Sequence, residues 1–393
     1  MQICICRVRV KEWIKISDLL FFQEGPGVRN TQYTQSGVKL LNVANLVNGK
    51  VDLSTSDRYI SEDEAYGRYK HFLCDDGDFI IASSGIKVEY FDRKMGFVDS
   101  SMLPLCMNTS TIRFKVIDSK RLNIKYFMYY LKSIHFKQQL SKFITGSAQL
   151  NFGPSHLKKM NMPLVSLKEQ NDIVEKLSKV ELLLDKYNGE IKLLDELIKA
   201  RFVEMFGDPV VNDKKWEIRY FCDLGELKRG KSKHRPRNDP ILLGGKYPLI
   251  QTGDVTNSNT YIKSYTSTYS EEGLKQSKMW KKGTLCITIA ANIAESAILT
   301  FDACFPDSVV GFTPNGEVIS LFIHYWLSFL QPILEENAPA VAQKNLNVAT
   351  LEKVGVIVPP LELQNQFASF VQEIAKSRLL SNHSLFLIKS LIF

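Results

Sequence analysis

After Pro163 the chain changes rhythm. Apolar residues recur at Ile173, Leu177, Val180, Leu184, Tyr187, Ile191, Leu194 and Ile198, in steps that alternate four and three. That spacing is a coiled-coil seam held for about four heptads. Ser166 with Glu169 three residues on forms a capping box, which predicts where the helix begins. A helix from roughly Lys168 to Phe206 would be about 58 Å long at 1.5 Å per residue, too long to pack inside one small domain. The matching positions near the C-terminus hold Phe367, Val371, Ile374, Arg378, Ser381, Leu385, Ile388 and Ile392, a seam apolar at both ends and polar in its middle. Ahead of each helix the pattern is different. Short apolar runs such as Phe79–Ala82 and Thr111–Ile117, separated by Gly, Asn, Asp and Ser, predict strands in an α/β (α+β) or mostly β domain.

This alternation is an internal repeat. A shift of 194 residues brings Gln149 onto Gln343, Asn151 onto Asn345, Leu157 onto Leu351, Leu167 onto Leu361, Gln170 onto Gln364 and Asn171 onto Asn365 without gaps. At shifts of 203 to 209, Trp13 matches Trp216, Asp18-Leu19 matches Asp223-Leu224 and Asn45-Leu46 matches Asp254-Val255. The reading is a mixed domain at 1–160, a helical region at 161–209, a second mixed domain at 210–354 and a second helical region at 355–393. Each helix has one apolar stripe and no other comparable stripe exists, so the two are expected to pair. A compact domain between them can return the chain to the end it left, which favours antiparallel pairing. Gly189, within the first helix, costs about 1 kcal/mol relative to Ala and marks either a bend or a tolerated exposed position.

Composition narrows the class. Charged residues are 23% and apolar ones 45%, ordinary globular usage. No apolar stretch approaches the 18 or so residues that span a bilayer. Met1–Val10 alternates Arg with Val and does not read as a signal peptide, so a cytoplasmic protein is expected. Seven scattered Cys, with Cys4 and Cys6 at a spacing unlike CxxC, fit reduced thiols. The formal charge is +8. The helical stretches hold seven basic and nine acidic side chains (168–206) and three and two (361–393), so the excess belongs to the mixed domains. Its densest patch is Lys228, Arg229, Lys231, Lys233, Arg235 and Arg237, six basic residues in ten, where Gly230 and Pro236 exclude a regular helix. Such a loop suits phosphate contacts.

Motifs of chemistry are missing. Gly225, Gly230, Lys231 and Ser232 satisfy the phosphate-loop spacing GxxxxGK[ST], but Pro236 blocks the helix that must follow. There is no GxGxxG, [DN]PP[YF], HExxH or GxSxG, and the His residues at 71, 135, 156, 234, 324 and 383 show no ligand spacing. No catalytic residue and no metal site are assigned. Two diverged basic domains held apart by a coiled coil form the layout of a reader of a split nucleic-acid site. A coiled-coil scaffold with two protein-binding domains is the competing reading.

The residues resemble the specificity (S) subunit of type I restriction-modification systems over essentially the whole chain. Pro163-Leu164, Glu169-Gln170 and Ile173 are similar to the family's Pro-led start of its first conserved helix, and Pro359-Pro360-Leu361, Gln364 and Phe367 repeat it. Gly25-Pro26-Gly27-Val28-Arg29-Asn30 with Gln32-Tyr33, then Asn42-Val43-Ala44-Asn45-Leu46, looks like the opening of a target recognition domain, and Gly225 to Gly230 and Ile250 to Val255 look like its counterpart. The second copy has Leu363 where Glu169 stands, which removes the reciprocal cap. It stops at the equivalent of Lys199, which in this family reads as a complete chain. The resemblance implies two target recognition domains joined by two antiparallel helices. It implies a non-enzymatic subunit that binds double-stranded DNA, two modification (M) subunits carrying S-adenosylmethionine, and restriction (R) subunits using ATP and Mg. DNA contacts are then expected from Arg29, Asn30, Gln32, Tyr33, Asn42 and Asn45 and from the basic patch. Ser83, Ser84, Lys87, Thr252 and Asp254 are further candidates in predicted loops. Arg pairs with guanine and Asn or Gln with adenine in the favoured geometries.

Overall fold

The computed structural model describes residues 12–142, 150–290, 292–336 and 346–392. Two compact units divide the chain, Met1–Lys186 with Ser384–Phe393, and Tyr187–His383, and the division falls inside the first long helix.

In the first unit a four-stranded antiparallel sheet runs in the order Leu20–Glu24, Thr111–Val116, Phe79–Ala82, Met95–Phe97. Phe79–Ala82 is an unbroken apolar run because both its faces are buried. Beside it lies a three-stranded sheet in which Val38–Leu41 pairs parallel with Leu105–Met107 and antiparallel with Tyr59–Ile60. The helices Ile124–Leu131 and Ile134–Ser141 complete the core, with the Phe127 ring edge-on to Phe79 at 6.3 Å. Three buried tyrosines of the first of these helices end in hydrogen bonds that fix its position. Tyr126 and Tyr130 donate to the carbonyls of Pro163 (3.0 Å) and Asn161 (2.6 Å), and Tyr129 to Glu181 Oε2 of the long helix (2.8 Å).

Glu12–Lys15 pairs antiparallel with Asn161–Leu164, so the chain leaves this domain where it enters. The capping box then forms as expected: Glu169 Oε2 accepts from Ser166 N (3.0 Å) and Oγ (2.6 Å), and Ser166 Oγ accepts from Glu169 N (3.3 Å). One turn in, the fully buried Gln170 amide donates to the carbonyls of Arg121 (2.8 Å) and Val165 (2.9 Å) and accepts from Asn123 N (2.9 Å). It staples helix, strand and domain together.

The second unit repeats this plan. Its main sheet runs Gly225–Arg229, Val309–Pro314, Leu285–Thr288, Ser296–Leu299, with one added strand, Tyr261–Ile262. Ile218–Tyr220 pairs antiparallel with Gly355–Ile357 as the closing ladder. The buried Gln364 donates to Glu317 O (3.1 Å) and Pro359 O (2.9 Å) and accepts from Ile319 N (3.0 Å). Two residues matched by the 194-residue shift therefore make the same three hydrogen bonds.

The first long helix spans Leu167–Phe206 and the second Leu361–Ile392. Ile173, Leu177, Val180, Leu184, Tyr187, Ile191 and Leu194 are all half-buried and Ile198 is buried, while Lys176, Lys179, Lys186 and Lys192 are exposed. The stripe continues past Ile198 through Phe202 and Met205, which the sequence pattern had not included. It is also wider at its start, where Ile173, Val174 and Leu177 pack on the first unit's core. Within the second unit the helices are antiparallel. Phe202 lies 5.4 Å from Phe367 and Arg201 5.7 Å from the Phe370 ring, Ile198 shares a core with Val371, and Asp195 binds Arg378, so numbers rise on one helix as they fall on the other. The polar seam position Arg378 is met by a bidentate ion pair, 2.6 and 3.0 Å to the Asp195 carboxylate. The side chains of Ser381, Leu385, Ile388 and Ile392 lie outside the described residues. Gly189 sits in uninterrupted helix with open space around it, a tolerated exposed position.

Candidate nucleic-acid interface

In the first unit the segment after the edge strand Leu20–Glu24 is pinned at its base. Gly25 N donates to Thr111 O (2.9 Å), and a Cβ at Gly25 would stand 2.1 Å from Asn108 O, so only glycine fits. The loop ends in a single turn, Asn30–Gln32. Gln32 is spent on holding this turn: its Oε1 accepts from Arg29 N (3.0 Å), and its Nε2 donates to Glu64 Oε1 (2.6 Å) and Tyr69 Oη (3.1 Å). Tyr33 stacks against Arg58, whose guanidinium lies 5.3 Å from the ring and donates to the hydroxyl (3.4 Å). Arg29 and Asn30 are left exposed at the tip.

Asn42 and Asn45 lie beneath. Asn45 is fully buried, accepts from Asn42 N (2.9 Å) and donates to Asp52 O (3.1 Å). Asn42 donates to Leu40 O (3.0 Å) and accepts from Asn108 Nδ2 (2.8 Å). In this structure both amides frame the loop. Ser83 sits between two strands, buried near Glu24 Oε1 (3.4 Å), whereas Ser84 does not lie in a loop as predicted but opens the strand Ser84–Ile86, its hydroxyl 2.7 Å from Ser110 Oγ. The reason is pairing with Leu150–Asn151, which lies far away in sequence. Lys87 is exposed.

In the second unit the basic patch is not one loop. Lys228 and Arg229 end the strand Gly225–Arg229, because the apolar partner strand Val309–Pro314 extends opposite them. Only from Gly230 onward is the chain irregular, and no helix follows Lys231-Ser232, so there is no phosphate loop of the GxxxxGK[ST] kind. The turn is tied down by Gln276, whose Oε1 accepts from Lys233 N (2.6 Å) and His234 N (3.1 Å), and by Asp239, 2.9 Å from His234 Nε2. Asp239 is held below the usual carboxylate range by the Ile241 N–H and then by His234. Lys228 pairs with Glu226, and Arg235 and Arg237 with Asp307. Lys231 and Lys233 are exposed and make no ion pair among the described residues. Thr252 and Asp254 lie in a short helix, Thr252–Thr256, not a loop. Asp254 caps it by accepting from Gln251 N (2.8 Å) and also accepts from Thr266 Oγ1 (3.1 Å).

Comparison with known proteins finds the same duplication. The type I restriction modification DNA specificity domain matches residues 11–194 and again 213–385. The chain belongs to this family. It is 26% identical over 268 residues to the type I restriction enzyme MjaX specificity subunit of Methanocaldococcus jannaschii, covering 63% of this chain and 60% of that protein. It is 25% identical over 178 residues to the MjaVIII specificity subunit of the same organism, covering 44% and 40%. The matched stretches thus span less than two thirds of either relative. Among solved structures, the S subunit of a type I restriction-modification system from M. genitalium matches with a TM-score of 0.56 at 15% identity, covering 100% of this chain and 97% of that one. A chain from a study of complex assembly and conformational transition in a type I system matches at 0.53 and 16%, covering 97% and 95%. These likenesses show the fold, two mixed domains and two long helices.

Within the specificity-domain frame, sequence reasoning missed Arg58, Asn108, Gln276 and Asp307. Each acts on a residue at least 25 positions away, and no local motif points to such partners. The thiols of Cys74 and Cys106 are pushed up to about 12, chiefly by burial, and all five described cysteines are unpaired. Cys4 and Cys6 lie outside the described residues. Among the described residues no group of three or more His, Cys, Asp or Glu side chains could hold a metal ion, and no helix is long and apolar enough to cross a membrane.

Proposed function

We propose that this chain is the DNA sequence-specificity subunit of a type I restriction-modification complex. The observation that carries the reading is the pairing of a repeated frame with unlike tips. Gln170 and Gln364 make the same three bonds, while one domain offers Arg29 and Asn30 on a turn and the other offers Lys231 and Lys233. Each domain reads one half of an asymmetric bipartite site in double-stranded DNA. Arg29 and Asn30 reach base edges, and the basic segment holds phosphates and so sets register. The helices dock two M subunits and act as the ruler between half-sites. In the cytoplasm, M supplies S-adenosylmethionine and methylates adenine, R supplies ATP- and Mg-dependent translocation and cutting, and this chain supplies the address without catalysis of its own.

The test is the ruler. Deleting one heptad from each helix removes about 10.5 Å, close to three base pairs at 3.4 Å each. The methylated motif should keep both half-sites and lose about three base pairs of spacer, or assembly with M should fail. A stable assembly that methylates the original motif contradicts the reading.

A further inference from the structure

Four of the six basic side chains in the patch are already engaged within the chain. A Cβ at Gly230 would stand 2.3 Å from Pro306 O and 2.4 Å from Phe305 O, so the bare glycine lets the 305–308 turn close beneath the basic segment. That contact brings Asp307 among the arginines. Its carboxylate takes Arg237 Nη2 on Oδ1 and Arg235 Nη2 on Oδ2 (3.3 Å), and its backbone carbonyl takes Arg229 Nε. Arg235 also spends Nη1 on Ser232 O (2.6 Å) and His234 O (2.9 Å). Asp307 thus takes Nη2 of each arginine, one of the two donors that a forked pair with phosphate would use.

We propose that Asp307 is an internal phosphate surrogate, a clasp that masks Arg235 and Arg237 and leaves Lys231 and Lys233 as the patch's principal phosphate contacts. The inference rests on the basic segment lying against DNA, as in the function proposed above. Its consequence is lowered affinity for DNA of any sequence, because phosphate contacts act on all sequences alike.

The experiment titrates the full-length chain against a labelled random-sequence duplex from 50 to 200 mM salt, reading the slope of log K against log salt, which changes by about 0.9 per phosphate contact. Asp307→Asn frees one or two contacts and should steepen the slope by about 0.9 to 1.8. Lys231→Ala with Lys233→Ala should flatten it by about 1.8. Arg235→Gln with Arg237→Gln, in the presence of Asp307, should flatten it by less than half as much as the lysine pair. This last variant carries the test even if Asp307→Asn fails to fold. A flattened lysine variant beside an unchanged or flatter Asp307→Asn, or an arginine pair as costly as the lysine pair, overturns the clasp and leaves the DNA reading standing. A lysine variant with an unaltered slope takes the segment off the DNA and overturns both the clasp and that part of the function.

Discussion

Replacing Gln170 by Leu leaves three backbone groups without their partner, the N–H of Asn123 and the carbonyls of Arg121 and Val165. A buried group stripped of its hydrogen bond costs about 1 to 3 kcal/mol. Carbonyls, with two lone pairs, sit at the low end. Taking about 2 kcal/mol for the N–H and about 1 for each carbonyl, and subtracting about 1 for the added apolar burial, the net loss is about 3 kcal/mol. For a unit of this size that corresponds to roughly 6 to 12 °C in melting temperature. Gln364→Leu strips Ile319 N–H and the carbonyls of Glu317 and Pro359, so it should cost the same within about 1 kcal/mol. Calorimetry of the whole chain is the assay, because two units with separate cores need not melt together. Asn171→Ala, which loses only an exposed hydrogen bond from Asn123 Nδ2 (2.8 Å), serves as the control and should cost about 1 kcal/mol or less. A loss below about 1 kcal/mol at either glutamine, or a severalfold difference between them, would refute the view that they are the equivalent staples of a duplicated frame.

Two other outcomes follow from the second unit. Burial depresses His324 to about 4, against 6.5 unfolded, so between these values the unfolded chain binds the extra proton. The stability from keeping His324 neutral is complete above about pH 6.5 and falls by up to roughly 3 kcal/mol as pH drops to 4. Urea melts at pH 7.5 and 5 should therefore show a smaller acid loss in His324→Gln than in the native chain, and equal losses would contradict the assignment. For the seam pair, a double-mutant cycle with Arg378→Met and Asp195→Leu should give a coupling of about 1 kcal/mol, since Asp195 is half in solvent. A coupling indistinguishable from zero would mean that the polar seam position is merely solvated.

Much of the frame was legible because it is written in local spacing. The seam at Ile173 to Ile198, the Ser166–Glu169 box and the strand at Phe79–Ala82 each follow from residues within a turn or two of one another. The extensions were not. Val174 is partly buried and Phe202 fully buried by packing against the mixed domains, which a periodicity count along one helix does not include. Gln170 and Gln364 were visible only as a match between copies, since two of the three partners of each stand 45 to 49 positions away. The site was less legible than the frame. Asn42, Asn45 and Gln32 have the chemistry of base readers, yet their amides are consumed by Asn108, Asp52 and Glu64. The charge of the basic patch could be counted, but the pairing of Arg235 and Arg237 with Asp307, some 70 residues on, could not.

The most direct measurement is a genome-wide map of methylated adenine in the source cell with the gene present, deleted, and restored as native chain or as Arg29→Ala. One asymmetric split motif should vanish on deletion and return with the native chain, while Arg29→Ala should relax one half-site and spare the other. A methylation map unchanged by deletion, in a cell whose M subunit is present and active, would contradict the proposed function.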